Sequence, residues 1–180
     1  MSYYTLSGKR IPCTFVVTLK PANMQKITPF LWFDNNAEEA MNFYMSIFKD
    51  SKVKAISRYP EGAPGVPGSV MTASFQLNGQ DFLVLNGGPM YHFTEAISFV
   101  VNCDSQDEID YFWEQLTAGG KEVQCGWLKD KFGLSWQIVP SNMGELMAGK
   151  DAAGSKRAMQ AMMKMVKLDM NVLKAAYEGK

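Results

Sequence analysis

Few side chains in this 180-residue chain suit covalent or metal chemistry. The single histidine, His92, follows Gly87-Gly88-Pro89 in a stretch that reads as loop. One imidazole cannot build a His-rich metal centre and leaves little scope for His-based proton transfer. The three cysteines, Cys13, Cys103 and Cys125, are odd in number and lack CxxC spacing. They are poor material for a disulfide framework or a structural zinc site, and they point to a reducing, cytoplasmic compartment. Most read as small buried hydrophobes; Cys125 is a weak nucleophile candidate, with no cation beside it to activate the thiol. Asp130, in Lys129-Asp130-Lys131-Phe132-Gly133, reads as a turn-former before it reads as a general base. Eighteen Lys and Arg balance eighteen Asp and Glu, which argues against non-specific binding to nucleic acid or an anionic membrane. No apolar run approaches the ~18 residues that span a bilayer, and residues 1–23 lack a secretion pattern.

The elements that must position these groups fall into a repeat. Residues 1–24 read as a strand-like or loose N-terminal extension, its apolar stretch being Ile11–Val17. Ile27–Phe33 then predicts a strand, and Asn36 with Glu39 predicts the capped start of a helix. The helix buries a stripe of Ala37, Ala40, Met41, Tyr44, Ile47 and Phe48. Val53–Tyr59 is a strand, residues 60–68 a Pro/Gly loop, and Val70–Leu77 and Phe82–Leu85 a hairpin turned by Asn78-Gly79. Ala96–Asn102 begins the pattern again. Asp104 or Ser105 caps a second helix, with Glu108 completing a capping box, and Ile109, Phe112, Trp113 and Leu116 form its stripe. Lys121–Leu128 and Leu134–Val139 read as its strands. The offset is 69 residues, placing Phe30 over Phe99 and Tyr44 over Trp113. Two strand–helix–strands units that each expose an apolar sheet face must bury it together. The expected fold class is α+β: two βαβββ modules, about 25–90 and 91–141, forming a curved mixed sheet around a cleft within a domain of residues 25–150. Residues 151–180 read as one C-terminal helix whose stripe is Met159, Met162, Met163, Val166, Met170, Leu173 and Tyr177.

Several strings resemble a known family. They are Ile27-Thr28-Pro29-Phe30-Leu31-Trp32-Phe33 with Ala37-Glu38-Glu39-Ala40 and Phe43-Tyr44, then Asn86-Gly87-Gly88-Pro89, Glu95–Phe99, the run Cys125–Pro140, and Lys167–Met170. Together, over about residues 27–178, they resemble the PhnB-like branch of the vicinal oxygen chelate (glyoxalase and dioxygenase) superfamily, labelled 3-demethylubiquinone-9 3-methyltransferase. The resemblance implies four metal ligands on cleft strands, usually His, Glu, His and Glu, holding an ion that acts as a Lewis acid. Here those positions fall at Ile27 or Thr28, near Leu83–Asn86, at Ala96 or Ile97, and at Gln137. Aliphatic side chains and amides do not hold a divalent ion, so no metal is predicted in the usual site, although a divalent metal elsewhere is left open. The label implies S-adenosylmethionine, yet no Gly-rich strand-to-helix turn is present to receive that cofactor.

The cleft that the resemblance implies would instead suit an apolar or aromatic small molecule oriented by a few amides. Its candidate lining is Asn86, Ser98, Cys125, Trp127, Trp136 and Gln137, with no catalytic residue assigned. Trp32, Phe43 and Trp113 are read as core. The chain is expected to bind a small molecule and to form a homodimer, its apolar C-terminal helix needing a partner surface. An enzyme acting on a small molecule is the alternative.

Overall fold

The computed structural model describes residues 3–6, 9–12 and 25–180. Strands β1 (Tyr3–Leu6) and β2 (Lys9–Pro12) pair antiparallel; Cys13 and most of the strand-like stretch lie outside the described residues.

The first module runs β3 (Phe30–Phe33), α1 (Ala37–Ile47), β4 (Lys52–Arg58), β5 (Val70–Leu77) and β6 (Gln80–Asn86). The second runs β7 (Ser98–Cys103), α2 (Gln106–Thr117), β8 (Lys121–Glu122), β9 (Trp127–Lys129) and β10 (Ser135–Pro140). Each keeps its own four-stranded mixed sheet, in the orders β3-β6-β5-β4 and β7-β10-β9-β8. The topologies are the same: first strand parallel to the last, the others antiparallel. The fold is therefore α+β with two βαβββ modules. Asn78 and Gly79 both have positive φ and turn the β5–β6 hairpin, as the Asn-Gly pair predicts.

The two helices coincide at the 69-residue offset, but the strands do not. Leu31 and Phe33 point into the core, and their counterparts by burial are Val101 and Cys103, one residue further along than the helix offset allows. The connection from β7 to α2 is one residue shorter than that from β3 to α1, and a one-residue slip exchanges the faces of a strand. Phe30 is consequently 48% exposed while Phe99 packs on the core. The start of α1 also differs. Asn36 makes no side-chain cap; Asn86 at the end of β6 accepts from Ala37 N–H at 2.8 Å instead. In α2, Ser105 is the N-cap, and Glu108 reaches back to Asp104 N–H. The predicted strand Lys121–Leu128 is two strands, broken where Cys125 and Gly126 adopt φ of +60° and +81°.

One core joins the modules on the helix-bearing side of both sheets. Phe48 of α1 stacks on Phe112 of α2 and on Trp136 of β10, and Phe82 meets Phe99 edge to face. The opposite faces are partly open: Phe30 and Val100 are about half exposed there, while the small Thr72, Ser74 and Ser135 are buried.

The C-terminal helix is not continuous. After α3 (Met143–Ala148) come α4 (Ala152–Met162) and α5 (Met170–Glu178). Between them, Met165 and Val166 carbonyls accept from Cys125 and Gly126 N–H, both at 2.8 Å, and Asp169 caps α5. These tertiary bonds outcompete helix continuation. They leave Met159, Met163 and Val166 of the expected stripe exposed, keep its Leu173 buried, and add Leu168 to the core.

Candidate functional site

Strand alternation sets the open face of the second sheet. Cross-strand register places three rows on it. Lys129, Ser135 and Ser98 form the first, and Trp127, Gln137 and Val100 the second; Val139 and Asn102 complete the third. The Gln137 side-chain N–H donates to Ser98 Oγ at 2.9 Å, which leaves the amide oxygen and the Ser98 hydroxyl proton for a ligand. Lys129 pairs with Glu95 at the polar end, where the buried Ser135 hydroxyl has no hydrogen-bond partner. Val139 at the other end packs against Leu146, Leu168 and Leu173. The face grades from charged to apolar over roughly 13–14 Å, the length of four residues of strand.

Three predicted residues, Ser98, Trp127 and Gln137, meet here. The others do not. Trp136 alternates with Gln137 and so points into the core, where it donates to Asp130 Oδ2 at 2.8 Å. Asn86 is buried in the first sheet, its amide spent on Ala37 N–H and on the Val70 carbonyl at 2.8 Å. Cys125 lies in the turn before β9, outside the rows of the face. Lys129, Ser135, Val100 and Val139 were not among the sequence candidates, although counting in steps of two from Trp127, Gln137 and Ser98 along their own strands would have found them. Trp32, expected in the core, is half-buried on the open face of the first sheet, opposite Leu85; its indole N–H donates to the Gly88 carbonyl and Tyr91 meets it edge on. Phe43 packs beside the core under the Lys131 ammonium, and Trp113 is fully within it.

Asp130 does more than turn the chain. Its Oδ1 accepts from Phe132 N–H and Leu134 N–H, and its Oδ2 from the Tyr44 hydroxyl and the Trp136 indole. Burial pushes its carboxyl above the ordinary value, against the pull of these four donors. Tyr44 is held protonated by its own burial and by the neighbouring carboxylate. A carboxylate surrounded in this way is a structural tie between modules, with no lone pair aimed at a ligand. The Cys103 thiol is likewise unsuited to attack, pushed up to about 12 by burial and by Glu108 and Asp104.

The positions where the superfamily places metal ligands do not fit a divalent ion. Leu83 and Leu85 share the open face of the first sheet with Phe30 and Trp32, and Gln137 occupies the last place on the second. Among the described residues, no three His, Cys, Asp or Glu side chains converge. S-adenosylmethionine fares no better: the strand-to-helix turns, Asp34-Asn35-Asn36 and Asp104-Ser105, contain no glycine to cradle it, and neither sheet is doubly wound.

A model of the 3-demethylubiquinone-9 3-methyltransferase family matches residues 25–139. The sequence resemblance was expected to reach residue 178, so α3 to α5 lie beyond this match. A Bacillus cereus structure described as a putative 3-demethylubiquinone-9 3-methyltransferase, PhnB protein, is 42% identical. It aligns over 64% of this chain and 99% of its own, with a TM-score of 0.61. A Pseudomonas aeruginosa protein is 19% identical over 65% of this chain and 98% of its own, with a TM-score of 0.55, a likeness of fold. No curated protein matches the sequence. The chain belongs to the 3-demethylubiquinone-9 3-methyltransferase family, with the PhnB protein of Bacillus cereus among its relatives.

Proposed function

We propose that this protein binds a small apolar or aromatic molecule on the open face of β9, β10 and β7, without a divalent ion in the superfamily's usual place. The observation that carries this reading is the Gln137–Ser98 pair, an amide and a hydroxyl already oriented to each other, with Trp127 beside them. Small-molecule sites commonly combine an apolar surface with a few placed polar groups. Trp127→Ala should weaken an aromatic ligand about tenfold or more, and Gln137→Ala about five- to tenfold, the worth of one hydrogen bond. A thermal-shift screen of aromatic acids and phenols, with and without Mn, Zn, Ni and Fe, tests the reading. Stabilisation by ligand alone supports it, whereas stabilisation that needs metal overturns it in favour of a metal-assisted enzyme.

The first sheet supports a homodimer. Phe30, Trp32, Leu83 and Leu85 on the first sheet, away from the proposed ligand face, leave apolar surface that a second copy would cover. Sedimentation at micromolar concentration should give about twice the mass of the chain; a monomer would refute pairing. Free Cys103 and Cys125 fit the reducing cytoplasm. Among the described residues, no helix is long and apolar enough to cross a membrane.

A further inference from the structure

We propose that the C-terminal segment, α3 to α5, is the end wall of the ligand face and sets the length of molecule accepted there. This rests on the ligand reading above. The family match stops at residue 139, and the Bacillus cereus chain is covered almost completely by about two thirds of this one. The segment therefore adds to a core that already contains the Gln137–Ser98 pair.

Its attachment is specific to one end of the face. Val139 is two residues beyond Gln137 on the same side of β10, about 7 Å away. It packs on the cluster formed by Leu146 of α3, Leu168 of the α4–α5 connection and Leu173 of α5. Beside it, Cys125 and Gly126 N–H bind the Met165 and Val166 carbonyls. Gln106 of α2 holds the segment from the other side, accepting from Met170 N–H and donating to the Leu168 carbonyl. The opposite end of the face carries the Lys129–Glu95 pair with Ser135 and Ser98. A molecule lying along the strands thus has its polar head at Lys129 and Ser98, its ring against Trp127, and an apolar tail that meets Val139 after roughly five methylenes, given about 7 Å of free strand length. The ligand class is a short amphiphile whose anionic head would displace the exposed Glu95 carboxylate from Lys129, with an aromatic or brief alkyl body.

The test uses the full chain and a benzoate series: benzoate, 4-butylbenzoate and 4-octylbenzoate, followed by calorimetry. Wild type should bind the butyl compound most tightly. Val139→Phe should weaken 4-butylbenzoate about tenfold more than it weakens benzoate, with circular dichroism and thermal melting checking that the variant is folded. Leu146→Ala, which hollows the wall, should shift preference toward the octyl compound. Benzoate binding with the same chain-length preference in all three proteins overturns the end wall and leaves the ligand reading standing. No binding of any benzoate by wild type overturns both.

Discussion

Asp130→Asn is expected to lower stability by about 2–4 kcal/mol at neutral pH, because an amide can replace only one of the two carboxylate oxygens. With its oxygen kept on Phe132 and Leu134 N–H, the new NH2 faces the Trp136 indole N–H, donor against donor, and the Tyr44 hydroxyl must turn to accept. For a chain of this size that corresponds to roughly 5–15 °C in Tm. Tyr44→Phe alone removes one of the bonds, and the double variant should lose less than the sum of the two, since the residues share one network. The pH dependence has a definite sign. Burial raises the folded-state pKa of Asp130, so its share of the stability is full below the unfolded value near 4 and falls away as pH rises through the folded value. The asparagine variant lacks this titration. The gap between wild type and variant should therefore be wider at pH 4 than at pH 8 in urea melts; a gap that widens with pH would refute the assignment.

Gly126→Ala should cost about 3–4 kcal/mol, combining a left-handed backbone with overpacking. At φ +81° the new Cβ would sit 2.8 Å from the Ile138 carbonyl oxygen and 3.0 Å from the Leu168 side chain. Backbone cannot yield as a flexible side chain does, so the Ile138 N–H to Gly126 carbonyl bond and the two bonds to Met165 and Val166 are strained together. Gly133 provides the control. It has φ of +85° and nothing within 4 Å of a Cβ, so Gly133→Ala should pay only the conformational cost, about 1–2 kcal/mol. Equal losses at the two positions, measured by chemical denaturation, would show that packing at Gly126 is irrelevant.

The helices were legible because their stripes repeat: Ile109, Trp113 and Leu116 answer Ala40, Tyr44 and Ile47 at one spacing. Strand facing was not, since a single deleted residue between β7 and α2 exchanges inside and outside without disturbing composition. The long C-terminal periodicity was real, but the carbonyls of Met165 and Val166 answer to N–H groups forty residues earlier, which no local pattern records. The site divides in the same way. Ser98, Trp127 and Gln137 could be placed by alternation alone. The same alternation removes Trp136, the neighbour of Gln137, from the face; Asn86 could not be placed, because its partner Ala37 N–H comes from elsewhere in the fold.

The borrowed cap of α1 has a bearing on the order in which the chain acquires structure. Helix α2 holds its own cap in Ser105 and Glu108 and can nucleate from neighbours in sequence. Helix α1 must wait for Asn86, 49 residues downstream on the last strand of its sheet. Closing that span costs entropy before the cap repays it, so the first helix is completed only as its hairpin docks. The second module, although synthesised later, is the better placed of the two to form early and serve as the surface on which the first condenses.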